Sequence, residues 1–535
     1  MPTDTPSYDV VIVGGGHNGL TAAAYLAKAG KTVLLLERLA HTGGAAVSAV
    51  AFEGVPARLS RYSYLVSLLP QAIVDDLGLD LKLARRRYSS YTPVPGHAAG
   101  AGLLVDGDDP AATRASFARI GAPPADADAF ATLYADTARL ARALWPTVTQ
   151  PLPRRAEVRA RLADDALWAA VFERPIGELI EARVAHDVVR GVVATDALIG
   201  LLAAPHDPDL AQNRCFLYHV IGGGTGDWDV PIGGMGTVTD QLAGVARAAG
   251  ARLLTGAEVT AVRADGTVRY TTADGLEHSV VGGHVLSNVA LYVLGKLLGQ
   301  PEASLARPEG AQVKVNLLLK RLPKLRDGAV SPEAAFGGTF HINETYSQLA
   351  AAHASATAGV IPAVVPCEIY CHSLTDASIL GPELAAAGAH TLTVFALQVP
   401  DRLLGAANSG SDDDAQRERL QAAVLASLNS VLAEPIEEVL LADGHGWPCV
   451  ETKTTRDLEA ALGMPGGHIF HGPLSWPFAE DDDPLDTPGR RWGVATPYGP
   501  RILLCGAGAV RGGAVSGLGG HNAAMAVLEA TGSGV

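Results

Sequence analysis

No two of the five cysteines, Cys215, Cys367, Cys371, Cys449 and Cys505, stand in a C-x-x-C pair. Enzymes that pass electrons through a dithiol need such a pair beside the cofactor, so that class is disfavoured. Cys367 and Cys371 are four apart; on a strand they would share a face yet lie too far apart to bond, and all five read as inert thiols. No His/Cys cluster has zinc-ligand spacing, and no metal site is expected. No apolar run approaches about 18 residues, so no membrane-spanning helix is expected. Residues 1–8 have neither the basic start nor the apolar core of a signal peptide, which makes a cytoplasmic protein the expectation. Positive charge is scarce as well. The 41 Lys and Arg face 56 Asp and Glu, for a formal charge of −15. A chain without a basic footprint is a poor partner for nucleic acid.

What is present is a globular chain of 535 residues, 48% apolar and 18% charged, too long for one core. Its organising stretch is residues 8–37. Val10, Val11, Ile12 and Val13 read as a buried parallel strand. Gly14, Gly16 and Gly19 follow in the spacing G-x-G-x-x-G, residues 20–29 read as a helix closed by Gly30, and residues 32–36 as a second strand ending on Glu37. Gly14 permits the tight turn, Gly16 leaves room for a pyrophosphate, and Gly19 lets the helix pack on the sheet. The helix N-terminus offers free N–H groups to phosphate. Glu37, 18 residues past Gly19, stands where a carboxylate accepts ribose hydroxyls. That carboxylate would repel a 2′-phosphate, which disfavours NADP and leaves FAD and NAD open.

Arg38 opens a loop that contains a second Gly-rich turn, Gly43-Gly44. Residues 88–210 read as mainly helical (111–120, 127–144, 155–171, 176–184 and 188–202) and form an inserted cap, broken by Pro146, Pro151 and Pro153. Its apolar stripes are core, a substrate tunnel or a membrane-facing surface. A Gly-rich run at 221–226 lacks a preceding buried strand and is not taken as a second nucleotide site. Residues 237–249 read as a helix. Residues 251–254, 258–263, 268–272 and 280–288 read as strands, with Asp265-Gly266 as a hairpin turn. Strands are also expected at 312–319, which carries Lys314, and at 339–342, 368–372 and 391–399. An amphipathic helix is expected at 413–432. A final strand at 501–505, a Gly-rich turn and a helix at 515–528 suggest that the C-terminus returns to the cofactor.

Together these pieces resemble the flavin amine oxidase and phytoene desaturase superfamily. The marks are Tyr8-Asp-Val-Val-Ile-Val-Gly-Gly-Gly-His-Asn-Gly-Leu20, Glu37, Gly43-Gly44, Pro231-Ile-Gly-Gly-Met-Gly236, Gly256-Ala-Glu-Val259 and Leu504-Cys-Gly-Ala-Gly508. Lys314-Val-Asn-Leu-Leu-Leu319, Gly338-Thr-Phe-His-Ile-Asn343, Pro465-Gly-Gly-His-Ile-Phe-His471 and Gly520-His-Asn-Ala-Ala524 are similar to a phytoene-desaturase-like group within it, the pyridine nucleotide-disulfide oxidoreductase domain-containing protein 2 group. The resemblance implies an α/β fold: a Rossmann-type FAD-binding domain interleaved with a substrate domain of mixed β-sheet plus helical cap. The FAD-binding domain would comprise residues 1–85, 226–305 and 476–535. The cap would span 86–225 and the mixed sheet 306–475.

The resemblance also implies bound FAD. Gly14, Gly16, Gly19, Glu37 and Arg38 would hold its ADP part. Gly43 and Gly44 would lie along the pyrophosphate and ribityl chain, and Val259 would meet the adenine. Gly506, Ala514 and Val515 would meet the isoalloxazine, with the last helix pointing its N-terminus at the ring. Two departures fall near that ring. The group writes Pro-Gly-Gly-Gly where this chain has Arg511-Gly-Gly-Ala514, and Arg where His521 stands.

The leading expectation is an FAD-dependent oxidoreductase that desaturates a lipophilic or bulky substrate by hydride transfer to flavin N5. Oxygen or a quinone would serve as acceptor, and peripheral membrane contact is a candidate feature. Amine oxidation, redox-neutral isomerisation and a non-catalytic flavin scaffold stay open. The catalytic candidates are Lys314, which stands in the strand where similar amine oxidases place a water-holding lysine, and the histidines His219, His471 and His468 for proton work.

Overall fold

The computed structural model describes residues 5–97, 100–404 and 410–532. The reading of the N-terminus rests in part on residues 1–4, which lie outside the described residues. Two sheets and a helical layer organise the chain.

The first sheet is built on Ser7–Val13, flanked by Val33–Glu37 on one side and Glu277–Ser287 on the other, all parallel. Arg252–Thr255 extends it beyond Val33–Glu37, and Ile502–Leu504 adds a further parallel strand on Glu277–Ser287. The hairpin Ala257–Val262 and Thr267–Thr272 completes it, turning at Gly266 (φ +93). Val10 to Val13 are buried because helices cover both faces of a parallel sheet. His17–Lys28 packs between Met235–Ala248 and Leu518–Ala530. Ala22, Ala23 and Ala24 keep its surface flat enough for both neighbours.

The second sheet runs in the order Val450–Lys453, Gln312–Leu319, His390–Leu397, Cys367–Tyr370, Thr339–Ile342, Tyr88–Pro93 and Gly102–Asp106. The last two strands lie where the sequence reads as mainly helical. Tyr88, Tyr91 and Thr92 favour a pleated surface, but the strand that pairs them, Thr339–Ile342, is some 250 residues away and leaves no local trace. The helix expected over 155–171 breaks at Ala163, which takes φ +52, and restarts after Asp164 caps Leu167 N. The helix expected over 188–202 ends at Thr195. An unexpected helix, Ala211–Val220, carries His219.

Pro124–Leu144, Ile176–Arg183, Asp187–Thr195 and Ala211–Val220 make the helical layer. Its apolar faces share one buried cluster with Phe395 and Leu397 of the second sheet and with Phe470 and Leu474. All five cysteines are buried and free. No helix among the described residues is long and apolar enough to cross a membrane.

Candidate functional site

The first strand leaves the sheet through Gly14 (φ +98) and enters the His17–Lys28 helix at Gly16. No side chain caps that helix and no acidic residue stands in its first turn. Its leading residues Gly16, His17 and Asn18 form one wall of a cavity of about 500 Å³. Glu37, Arg38, Gly44, Val259, Ala514 and Val515 line the same cavity, as do Lys314, His219 and His471. Gly19, Gly43 and Gly506 do not. They act behind the wall, as points of close backbone approach. A Cβ on Gly19 would stand 2.3 Å from Gly14 O, and one on Gly506 would stand 2.8 Å from Asn288 O. Gly43 donates its N–H to Gly15 O at 2.8 Å and so holds the second Gly-rich turn against the first.

Glu37 is buried at its strand end. Its carboxylate accepts from Gly15 N at 2.7 Å and from Leu39 N at 2.8 Å, which fixes it at the cavity edge with lone pairs to spare. Arg38 bonds Ala460 O at 2.8 Å. His17 Nε2, Asn18 Oδ1 and His471 Nδ1 are buried without a hydrogen-bond partner. Buried polar atoms are rarely left so unless a ligand, an ion or a water meets them. An uncapped helix start, a glycine cradle, a carboxylate at the next strand end and three orphaned polar atoms together fit a dinucleotide.

At the C-terminal end, Arg511 takes φ +64, a conformation closed to the proline of the related group. Its Nη1 donates to Thr147 O at 2.5 Å and to Gln150 O at 2.7 Å. The turn that presents Ala514 and Val515 is thereby tied to the helical layer. His521 is buried edge-on to Tyr25, with Nδ1 bonded to Asn522 Oδ1.

The opposite wall is one transverse row of the second sheet. Lys314 pairs with Phe395, Phe395 with Glu368, and Glu368 with His341. Residues opposite one another across strands share a face, and all four line the cavity. Lys314 Nζ donates to Ser60 O at 2.7 Å and lies 5.3 Å above the Tyr64 ring. Burial holds its pKa well below the ordinary lysine value. His219 stacks on Trp228, and its Nδ1 lies 2.8 Å from Cys215 O. His219 and His471 are both driven down to about 4 by burial, so both are neutral imidazoles at pH 7. His468 accepts from Phe470 N and does not line the cavity.

Sequence reasoning passed over Glu368, His341, Tyr370, Arg86 and Asp196, which line the cavity, and Glu344 and Thr195 beside them. A signal was available: Glu368 and His341 are ionisable residues set alone within apolar strands. What could not be read was their meeting, because they lie on separate strands.

Residues 12–71 match the NAD(P)-binding Rossmann-like domain family. Over 529 residues, 97% of each chain, the sequence is 58% identical to the uncharacterized protein Rv0897c of Mycobacterium tuberculosis. It is 29% identical to pyridine nucleotide-disulfide oxidoreductase domain-containing protein 2 of Rattus norvegicus, over 98% of this chain and 94% of that one. Among solved structures, putrescine oxidase bound to putrescine matches with a TM-score of 0.58 at 18% identity over 99% of both chains. Cyclohexylamine oxidase from Brevibacterium oxydans matches with a TM-score of 0.53 at 16% identity, over 98% of this chain and 100% of that one. The chain opens on an NAD(P)-binding Rossmann-like domain built to hold a dinucleotide, shares its overall fold with the two amine oxidases, and belongs to one family with the Mycobacterium tuberculosis protein.

Proposed function

We propose that the protein is an FAD-dependent oxidoreductase that takes hydride from a bulky, largely apolar substrate and leaves a carbon–carbon double bond. The observation that carries this reading is the continuity of the cavity. One cavity is lined by Gly14 and Glu37, by Lys314, and by Val192, Ile199, Val220, Ile469 and Phe470. Such a shape, apolar with a few polar groups converging in it, suits one organic substrate lying against a cofactor. Bound FAD would supply the hydride acceptor.

The chain's own residues do the rest. The first helix turn would offer amides to the pyrophosphate, and Glu37 would accept the ribose hydroxyls. Ala514 and Val515 close the far end. Lys314 holds or moves a proton at Nζ. His219 and His471 border the pocket as neutral hydrogen-bonding groups, since imidazoles held near 4 are weak bases at pH 7. A lipophilic substrate would reach the pocket from a membrane surface, and oxygen or a quinone would take up the electrons.

Glu37→Ala should weaken FAD retention. It removes hydrogen bonds to a charged acceptor, each worth about 1.5–3 kcal/mol, and frees Gly15 N and Leu39 N. The check is FAD content after dialysis; full retention would remove Glu37 from the ribose site.

Oxidation of an amine is the second reading, and Lys314 favours it: a buried lysine on the cavity face is suited to hold a water for proton transfer. Anaerobic mixing with lipophilic hydrocarbons and with amines separates the two. Bleaching of the yellow protein by hydrocarbons and not by amines is the expected result. The reverse selects amine oxidation. Bleaching by neither returns the protein to isomerisation or to a scaffold role.

A further inference from the structure

We propose that His341, Glu344 and Glu368 form a binding site for a divalent first-row metal ion at the substrate end of the cavity. Each side chain offers one ligand atom, and these atoms lie within 4.8 Å of one another. All three residues are buried, and among the described residues this is the one such group of His, Cys, Asp or Glu. Glu368 and His341 come from adjacent strands, directly opposite one another. Glu344 joins them because Asn343 takes φ +58 and turns the chain back, pinned by its side-chain amide to Val365 O and Ser427 Oγ.

The outer shell is that of a metal site. The tautomer in which His341 Nδ1–H donates to Thr92 Oγ1, 3.1 Å away, leaves the Nε2 lone pair free. Tyr370 OH donates to Glu368 Oε2 at 2.8 Å. Thr195 Oγ1 lies 2.9 Å from Glu344 Oε2 and 3.1 Å from Glu368 Oε1. Partners of this kind orient ligands and fix tautomers. Glu344 Oε1 is buried and has no partner.

A divalent ion would take up the two ligand atoms that the surrounding hydrogen bonds leave open, Glu344 Oε1 and the imidazole Nε2 lone pair. One nitrogen and two carboxylate oxygens suit Zn²⁺ or Mn²⁺. Three protein ligands leave positions open, as in catalytic rather than structural sites, and the two cavity-lining ligands place those positions on the cavity side.

The test uses the full-length protein, stripped with EDTA and dialysed against ZnCl₂ or MnCl₂, with bound metal read by elemental analysis and free Mn²⁺ by EPR. Wild type is expected to bind one equivalent. Glu344→Gln and His341→Gln should each weaken binding by at least roughly 100-fold, beyond the 10–100-fold usual for losing an outer-shell partner. Melting curves and flavin content verify that the variants fold. Two results overturn the proposal: no stoichiometric binding by wild type, a measurement that needs no variant, or equal binding by folded variants.

Discussion

In the Lys314→Met protein, FAD content stays near that of wild type while the reductive or oxidative half-reaction slows by roughly 10²- to 10⁴-fold, the range for a positioned proton-transfer group. Lys314 sits mid-strand in Gln312–Leu319 with its amine on Ser60 O and over Tyr64. Arg61 already bonds Glu451, so the nearest carboxylate is committed elsewhere. Burial outweighs that carboxylate's attraction and favours the neutral amine. A neutral amine accepts a proton, so the wild-type rate should climb as pH rises through the lowered value and then level off. That limb should be missing in Lys314→Met. Stability carries the same signature. The unfolded lysine stays protonated up to about 10.4, so the wild type gains stability as pH rises from the lowered value toward that point. Any advantage of Met in melting temperature should therefore shrink as pH rises. Stopped-flow on one preparation measures both half-reactions; two unchanged rates would remove Lys314 from the chemistry.

Gly520→Val is expected to do more damage than any change in the cavity wall, although Gly520 touches no ligand. A Cβ there would stand 2.0 Å from Asn18 O and 3.0 Å from Ala22 N. Both are backbone atoms of the first helix, which is held by its own hydrogen bonds and cannot yield. The last helix must move away, and Ala514 and Val515 move with it. Overpacking in a closed core costs typically about 1–3 kcal/mol. Here it also opens the cradle from the C-terminal side, so FAD should be lost from the purified protein and the melting temperature should fall. Fluorescence of FAD released during a thermal ramp reports both. A yellow protein with an unchanged melt would show that the two helices are not rigidly coupled.

The dinucleotide half of this site was legible because its signals are local. The strand, three glycines, the helix and Glu37 fall within residues 8–37, and each has a steric or electrostatic job that spacing alone reveals. Lys314 was legible through the resemblance, which sets it in the strand where similar amine oxidases keep a lysine. The substrate half was not. Glu368, His341 and Thr195 converge through strand register and through a left-handed Asn343. Register is settled by which strands pair, and the Tyr88–Pro93 strand finds its partner across the intervening helices. Arg511 was visible as a departure from the group's proline, yet its positive φ and its grip on Thr147 and Gln150 belong to three dimensions.

The interleaving of the first sheet has a consequence for biosynthesis. Ser7–Val13 leaves the ribosome nearly 500 residues ahead of Ile502–Leu504 and Leu518–Ala530, which complete its layers. At about 5–20 residues per second, the nascent chain waits roughly half a minute to a minute and a half between them. Throughout that interval the apolar faces of Leu20, Leu26 and their neighbours lack their C-terminal cover. Full closure of the proposed FAD site is therefore expected only after residues 502–530 have emerged. A ribosome-stalled chain ending before residue 500 should emerge colourless and in need of a chaperone, however much flavin the cell supplies.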